Sequence, residues 1–173
     1  MTQLRLTELI HEPFHCLAES FGFSVVHAED YPKDYGNAIV VLQSRVCRLR
    51  IIVERERVFV EVGSLQAPLD WAIHASHLWF DIGDVILFLT DGKTTWEYPF
   101  PDSDLRGAAL IANQIESIAG ELQPYIGEVL HLFEPEVFEE QRAGLLEYRQ
   151  RQADKWLNSL YEKRRMADRE AEL

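Results

Sequence analysis

Cysteine is scarce: Cys16 and Cys47 are the two in 173 residues, and both sit in apolar surroundings without paired spacing. A disulfide framework is not expected, and a reducing compartment fits better. Basic residues are outnumbered, 17 Lys+Arg against 29 Asp+Glu, for a formal net charge of −12. Such a chain repels phosphate backbones and anionic lipid at long range. The partner it suggests is another protein, basic in character, with nucleic acid disfavoured and no membrane. Long hydrophobic runs are missing too. The longest strongly apolar stretch, residues 85–89, is far shorter than the roughly 20 residues that cross a bilayer. The first residues lack an apolar stretch after a basic start and a small-residue cleavage site, so the reading is cytoplasmic. The patterns G-x-G-x-x-G, G-x-x-x-x-G-K and G-x-S-x-G do not occur, which removes the dinucleotide, P-loop and α/β-hydrolase fingerprints.

What is present is enough for one core: 47% hydrophobic residues, 11% of the chain aromatic, in a length usual for a single domain. The charge is uneven. Residues 134–173 hold ten acids and eight bases, net −2, and residues 1–133 hold nineteen and nine, net −10. This divides the chain into an acidic α+β domain, 1–133, and a long amphipathic C-terminal helix, 134–173. That helix either packs on the same domain or projects as an arm that could pair two copies.

Hydrophobic periodicity gives the fold class, α+β. Leu6, Ile10, Phe14, Leu17 and Phe21 recur at helical steps and end at Gly22, with a kink expected at Pro13. The period then changes to two over residues 23–28, 38–43, 46–54 and 57–62, which reads as a four-stranded antiparallel meander. Cys47, Leu49, Ile51 and Val53 alternate with Arg48, Arg50, Ile52 and Glu54, so one face is expected to be buried and the other wet. The short charged link at residues 54–57 predicts a tight hairpin with Arg and Glu neighbours across the strands. Asp81 offers an N-cap to a short helix closed by Gly92. Residues 93–100 read as an edge strand or loop, because Pro99 and Pro101 exclude a central strand. Asp102 or Asp104 could cap a helix with the stripe Leu105, Ala108, Ala112, Ile115, Ala119 and Leu122. Pro124 interrupts it, and Pro135 opens the last helix, with Leu146, Ala153, Leu157 and Leu160 on one side.

The sharpest chemical pattern is His11-Glu12-Pro13-Phe14-His15. It has the H-E-x-x-H spacing in which two histidines on one helical face hold zinc and a glutamate activates water. It gives an alternative reading as a small zinc-dependent hydrolase, with metal on His11 and His15 and catalysis by Glu12. Pro13 stands against it, since proline inside the motif distorts the turn that aligns the imidazoles. Cys16, Cys47, His74 and His77 would have to converge to make a structural zinc site. Asp81 with Asp84, like Glu29 with Asp30, could divide acid and base roles. For Asp81 and Asp84 a helix N-terminus is the simpler explanation, because its dipole and unpaired amides favour carboxylates. Arg45, Arg48, Arg50, Arg55 and Arg57, with Phe59, form the one candidate surface for single-stranded nucleic acid, interleaved with Glu54, Glu56 and Glu61 that neutralise it.

The leading reading is therefore a non-enzymatic protein-binding module, an adaptor, chaperone-like or toxin-neutralising partner that uses no cofactor. Its binding face is expected in the irregular aromatic and acidic stretch that carries Trp71, Trp79, Asp81, Asp84, Trp96 and Tyr98.

Overall fold

The computed structural model describes residues 5–31, 37–70, 77–99 and 104–171, the side chains of 163 and 165–171 excepted. The first apolar stripe forms two short helices, α1 (Leu6–His11) and α2 (His15–Phe21), which bury Leu6, Ile10, Phe14 and Leu17. Pro13 lacks an amide hydrogen and disfavours helix at Glu12, so the expected kink is a full break at residues 12–14. Gly22 ends α2 at φ 69°, a left-handed conformation that glycine adopts without a Cβ penalty.

The alternating segments form β1 (Ser24–Tyr31), β2 (Asn37–Gln43), β3 (Cys47–Glu54) and β4 (Arg57–Ser64). They make an antiparallel meander, to which the structure adds a fifth short strand, β5 (Trp79–Asp81), against Glu61, Val62 and Gly63. Arg55 and Glu56, with φ of 50° and 63°, make the tight β3–β4 hairpin, a two-residue turn with both central residues left-handed.

One face of the sheet carries Val40, Leu49, Ile51, Val53, Val58, Val60 and Val62 into the main core under the helices. The other face, expected to be wet, is covered at its centre. Ile39, Val41 and Ile52 pack there with Ala67 and Trp79 in a second core, flanked by Tyr31, Phe59, Leu69 and Leu78. Residues 65–70, after β4, and 77–78, before β5, lie over the strands. Arg48 holds the first of these, with Nη1 donating to the carbonyl of Ala67. Gly63 permits the close approach, since a Cβ there would lie 2.7 Å from that of Ala67 and 2.8 Å from the Leu78 carbonyl.

On the main core lie α3 (Ile82–Leu89), α4 (Gly107–Leu122), α5 (Ile126–Leu132) and α6 (Pro135–Ala171). Gly92 closes α3 as expected, its amide 2.8 Å from the Leu87 carbonyl. Residues 93–99 are a loop. The start of α4 departs from the sequence reading. It begins at Gly107 with no side-chain cap from Arg106, and Glu56, in the β3–β4 turn, accepts the Gly107 amide at 3.0 Å. Its buried face is Leu110, Ile111, Gln114, Ile115, Ile118 and Leu122. Phe80, Phe133 and Phe138 stack where β5, α5 and α6 meet, with Phe133 and Phe138 4.8 Å apart. No helix among the described residues is long and apolar enough to cross a membrane.

Candidate interaction site

Of the residues expected to form a binding face, Trp71 lies outside the described residues, as do His74, Phe100 and Asp102. Asp81, Asp84, Trp96 and Tyr98 converge at the N-terminus of α3. Asp81 caps that helix, with Oδ1 accepting from Gly83 N at 2.8 Å and Asp84 N at 3.3 Å. Its Oδ2 lies 2.8 Å from the Tyr98 hydroxyl. That hydroxyl is also 3.0 Å from the Val60 carbonyl and accepts from Val60 N at 3.3 Å. The Trp96 ring lies flat enough on the helix start that a Cβ at Gly83 would come within 2.3 Å of its Cδ1, so only glycine fits there without displacing the indole. Trp96 meets Tyr98 edge-on, with centroids 6.1 Å apart.

This arrangement accounts for the cluster as packing. Trp79 is 2% exposed and belongs to the second core. It is covered because β5 inserts it beneath Arg50, whose guanidinium stacks 4.3 Å from the ring. It is therefore not part of an accessible groove. Tyr98 is spent on the β4 edge and on Asp81, and burial pushes its phenol well above the usual tyrosine range. Burial also raises the Asp81 carboxyl.

Asp84 is pushed up to about 6 by burial and then by the Asp81 charge, with Arg149 on α6 pulling the other way. The helix dipole expected to favour its charge is thus outweighed by desolvation. A raised folded-state pKa means that the native form holds its proton to higher pH than the unfolded chain, whose Asp titrates near ~3.9. Asp84 therefore weakens the fold as pH rises from about 4 towards 6. Asp84→Asn is expected to stabilise the protein by ~1 kcal/mol at neutral pH, about half the full linkage value because the group is half-exposed. The gain should vanish near pH ~4. Urea unfolding of both proteins across that range measures it, and a gain independent of pH would reject this cause.

The zinc-motif residues are placed differently from a metallopeptidase helix. His11 ends α1 and His15 begins α2, with the Pro13 turn between them. Their rings are 6.1 Å apart and tilted by 53°. His15 and Glu12 are exposed, and His15 Nδ1 lies 3.4 Å from Glu19. Among the described residues no group of three or more His, Cys, Asp or Glu could hold a metal ion. Cys16 and Cys47 are both free, and burial pushes the Cys47 thiol up to about 11. The arginine surface is also engaged. Arg50 is bound to Glu61, Arg48 Nε donates to Gln43 Oε1 at 2.7 Å, and Arg57 lies over Phe59.

Among the described residues, two features offer the most room to a partner. A groove of about 850 Å³ runs between the end of α3, α5 and α6, with Phe88, Leu89, Leu132 and Val137 inside it and Asp91 and Glu128 among its polar lining. The more conspicuous feature is the second half of α6. The first half is anchored by Leu145, fully buried, by Tyr148 against Phe88, and by Arg149, which donates to the Trp79 carbonyl at 3.2 Å. Beyond Gln152 every described side chain is exposed. Trp156 and Tyr161 are 63% and 64% exposed, and Leu157 and Leu160 are 43% and 42% exposed. At 1.5 Å per residue the helix continues roughly 28 Å past Gln152, its last half-buried residue among those described. Sequence reasoning saw the Leu157 and Leu160 stripe but not its aromatic flanks. The available signal was Trp156 and Tyr161 at steps of four and one from those leucines in an otherwise charged segment.

Comparison with known proteins finds no matching family model, no matching curated protein and no matching solved structure.

Proposed function

We propose that this chain is a non-enzymatic protein-binding module whose contact element is the exposed half of α6. The observation that carries this reading is the run of Trp156, Leu157, Leu160 and Tyr161 left uncovered on one helix. A helix that has left its body loses the packing that stabilises most protein helices. Large apolar side chains grouped on such a surface mark interaction sites, and aromatics dominate interface energetics. The acidic body, net −10 over residues 1–133, supports a role in steering a basic surface towards the complex. Two unpaired thiols, one of them buried and inert, suit a cytoplasmic location. Adaptor, chaperone-like and toxin-neutralising roles all use such an element.

Photo-crosslinking side chains placed singly at positions 155, 157, 160 and 162, in cells that make the protein, test this reading. Positions 157 and 160 should give discrete adducts, and positions 155 and 162, on the opposite side of the helix, should give none. Equal labelling from both sides, or adducts from neither, would reject the arm as the contact element.

A further inference from the structure

We infer that the exposed half of α6 pairs with the same segment of a second copy, antiparallel, about a two-fold axis that passes between Asn158 and Ser159. The inference rests on the proposed role of the arm and names its occupant. Ala153, Leu157, Leu160 and Arg164 follow one another at steps of four, three and four residues, the spacing of an a/d seam in a helix pair. Trp156 flanks this seam on one side and Tyr161 on the other, with Asp154 beside Tyr161. Lys155, Asn158, Ser159 and Glu162 occupy the far side of the helix. All of these side chains are exposed, so no described residue of the body covers the seam.

The spacing of the seam, four, three and four, reads the same in both directions about its centre. A two-fold interface requires that if residue i meets residue j, residue j also meets residue i. In the antiparallel register Leu157 meets Leu160 of the second copy, and Leu160 meets Leu157. Ala153, small enough to leave space, lies opposite Arg164 of the second copy, and the guanidinium then reaches Asp154 next to that alanine. Symmetry makes this ion pair twice. The aromatic flanks cover the leucine layers at both ends. In the parallel arrangement Arg164 would face Arg164 across the seam, a like-charge contact at an apolar interface, and neither would reach an Asp154. The charges therefore select the antiparallel arrangement, as flanking charges do in helix pairs generally. Asp154 also accepts from Gln150 Nε2 at 2.9 Å within its own helix, which holds the carboxylate on the seam side.

The full-length chain should sediment as a dimer somewhere between micromolar and submillimolar concentration. Leu157→Asp should leave a monomer at every concentration while the thermal unfolding of the body is unchanged, because Leu157 is exposed on α6. Asp154→Arg should weaken the dimer roughly tenfold, since it turns two attractions into two repulsions. Adding Arg164→Asp to Asp154→Arg should restore wild-type association, because the exchanged charges meet again only in the antiparallel register. A wild-type monomer throughout that range, a dimer indifferent to Leu157→Asp, or a charge exchange that fails to restore association would each overturn the inference. Crosslinks from positions 157 and 160 to a different protein, with the chain itself monomeric, would overturn self-pairing and leave the arm as the contact element.

Discussion

Glu61→Ala is expected to cost the fold about 3 kcal/mol, a large share of the total for a domain of this size. Arg50 lies on the outer face of β3 with its side chain 6% exposed, and Glu61, directly across on β4, is 26% exposed. Glu61 Oε2 accepts from Arg50 Nε at 2.7 Å, and the guanidinium is sandwiched against the Trp79 ring. Removing the carboxylate leaves a cation held against Trp79, with the Asp70 carbonyl at 3.4 Å as its remaining acceptor among the described residues. Removing one partner of a buried pair is penalised far more than removing both. Accordingly, Glu61→Gln should cost less than half as much, and Arg50→Met combined with Glu61→Met should return most of the wild-type stability. Urea unfolding monitored by tryptophan fluorescence, read as a double-mutant cycle, separates these outcomes. A loss below about 1 kcal/mol for Glu61→Ala would mean that water or Asp70 already satisfies the guanidinium.

The same pair shows why the outer face of the sheet was misread from sequence. Arg48, Arg50 and Glu61 alternate with apolar residues, the pattern of a solvated face; their neutralisation was legible, but that Ala67, Leu69, Leu78 and Trp79 cover this face was not. A contrary signal was available in residues 38–42, an unbroken apolar run, which in a strand means burial on both faces. The long strands were legible because Leu49, Ile51 and Val53 and then Val58, Val60 and Val62 keep strict alternation over whole strands. β5 was not, since Trp79–Asp81 is three residues long and becomes a strand only by pairing with β4. The start of α4 was hidden for a similar reason. Its first amide is bound by Glu56, 51 positions earlier, and no local rule connects the two. On the functional side, Asp81 was read correctly as a cap, and that role accounts for its contacts with Gly83 and Asp84. The stripe on α6 was visible as a period, but which of its side chains stay exposed is set by tertiary packing.

Tyr98→Phe is expected to cost about 3 kcal/mol, although it removes a single oxygen from a ring that stays packed. β4 runs from Arg57 to Ser64, and β5 covers it only at Glu61, Val62 and Gly63. The rest of that edge would present unpaired backbone groups beneath the helices. Two side chains complete it. The Tyr98 hydroxyl serves Val60 N and O, while Gln114 accepts from Val58 N at 3.2 Å and donates to the Glu56 carbonyl at 2.8 Å. Without the hydroxyl, Val60 N loses its acceptor, and Asp81 Oδ2 and the Val60 carbonyl lose the one proton they share, beside the Phe59 and Trp96 rings. The pH dependence identifies the cause. Hydrogen bonding from Tyr98 holds the Asp81 carboxyl down against its burial, so the variant should raise that pKa further. A native carboxyl with a higher pKa is favoured by protonation. The deficit of Tyr98→Phe should therefore be largest at neutral pH and shrink towards about pH 4. Denaturant unfolding at both ends of that range is the test. A deficit that does not change with pH would place the loss at Val60 alone. An exposed β4 edge is also a template for strand pairing between chains, so the variant should aggregate during refolding at concentrations where the wild type does not.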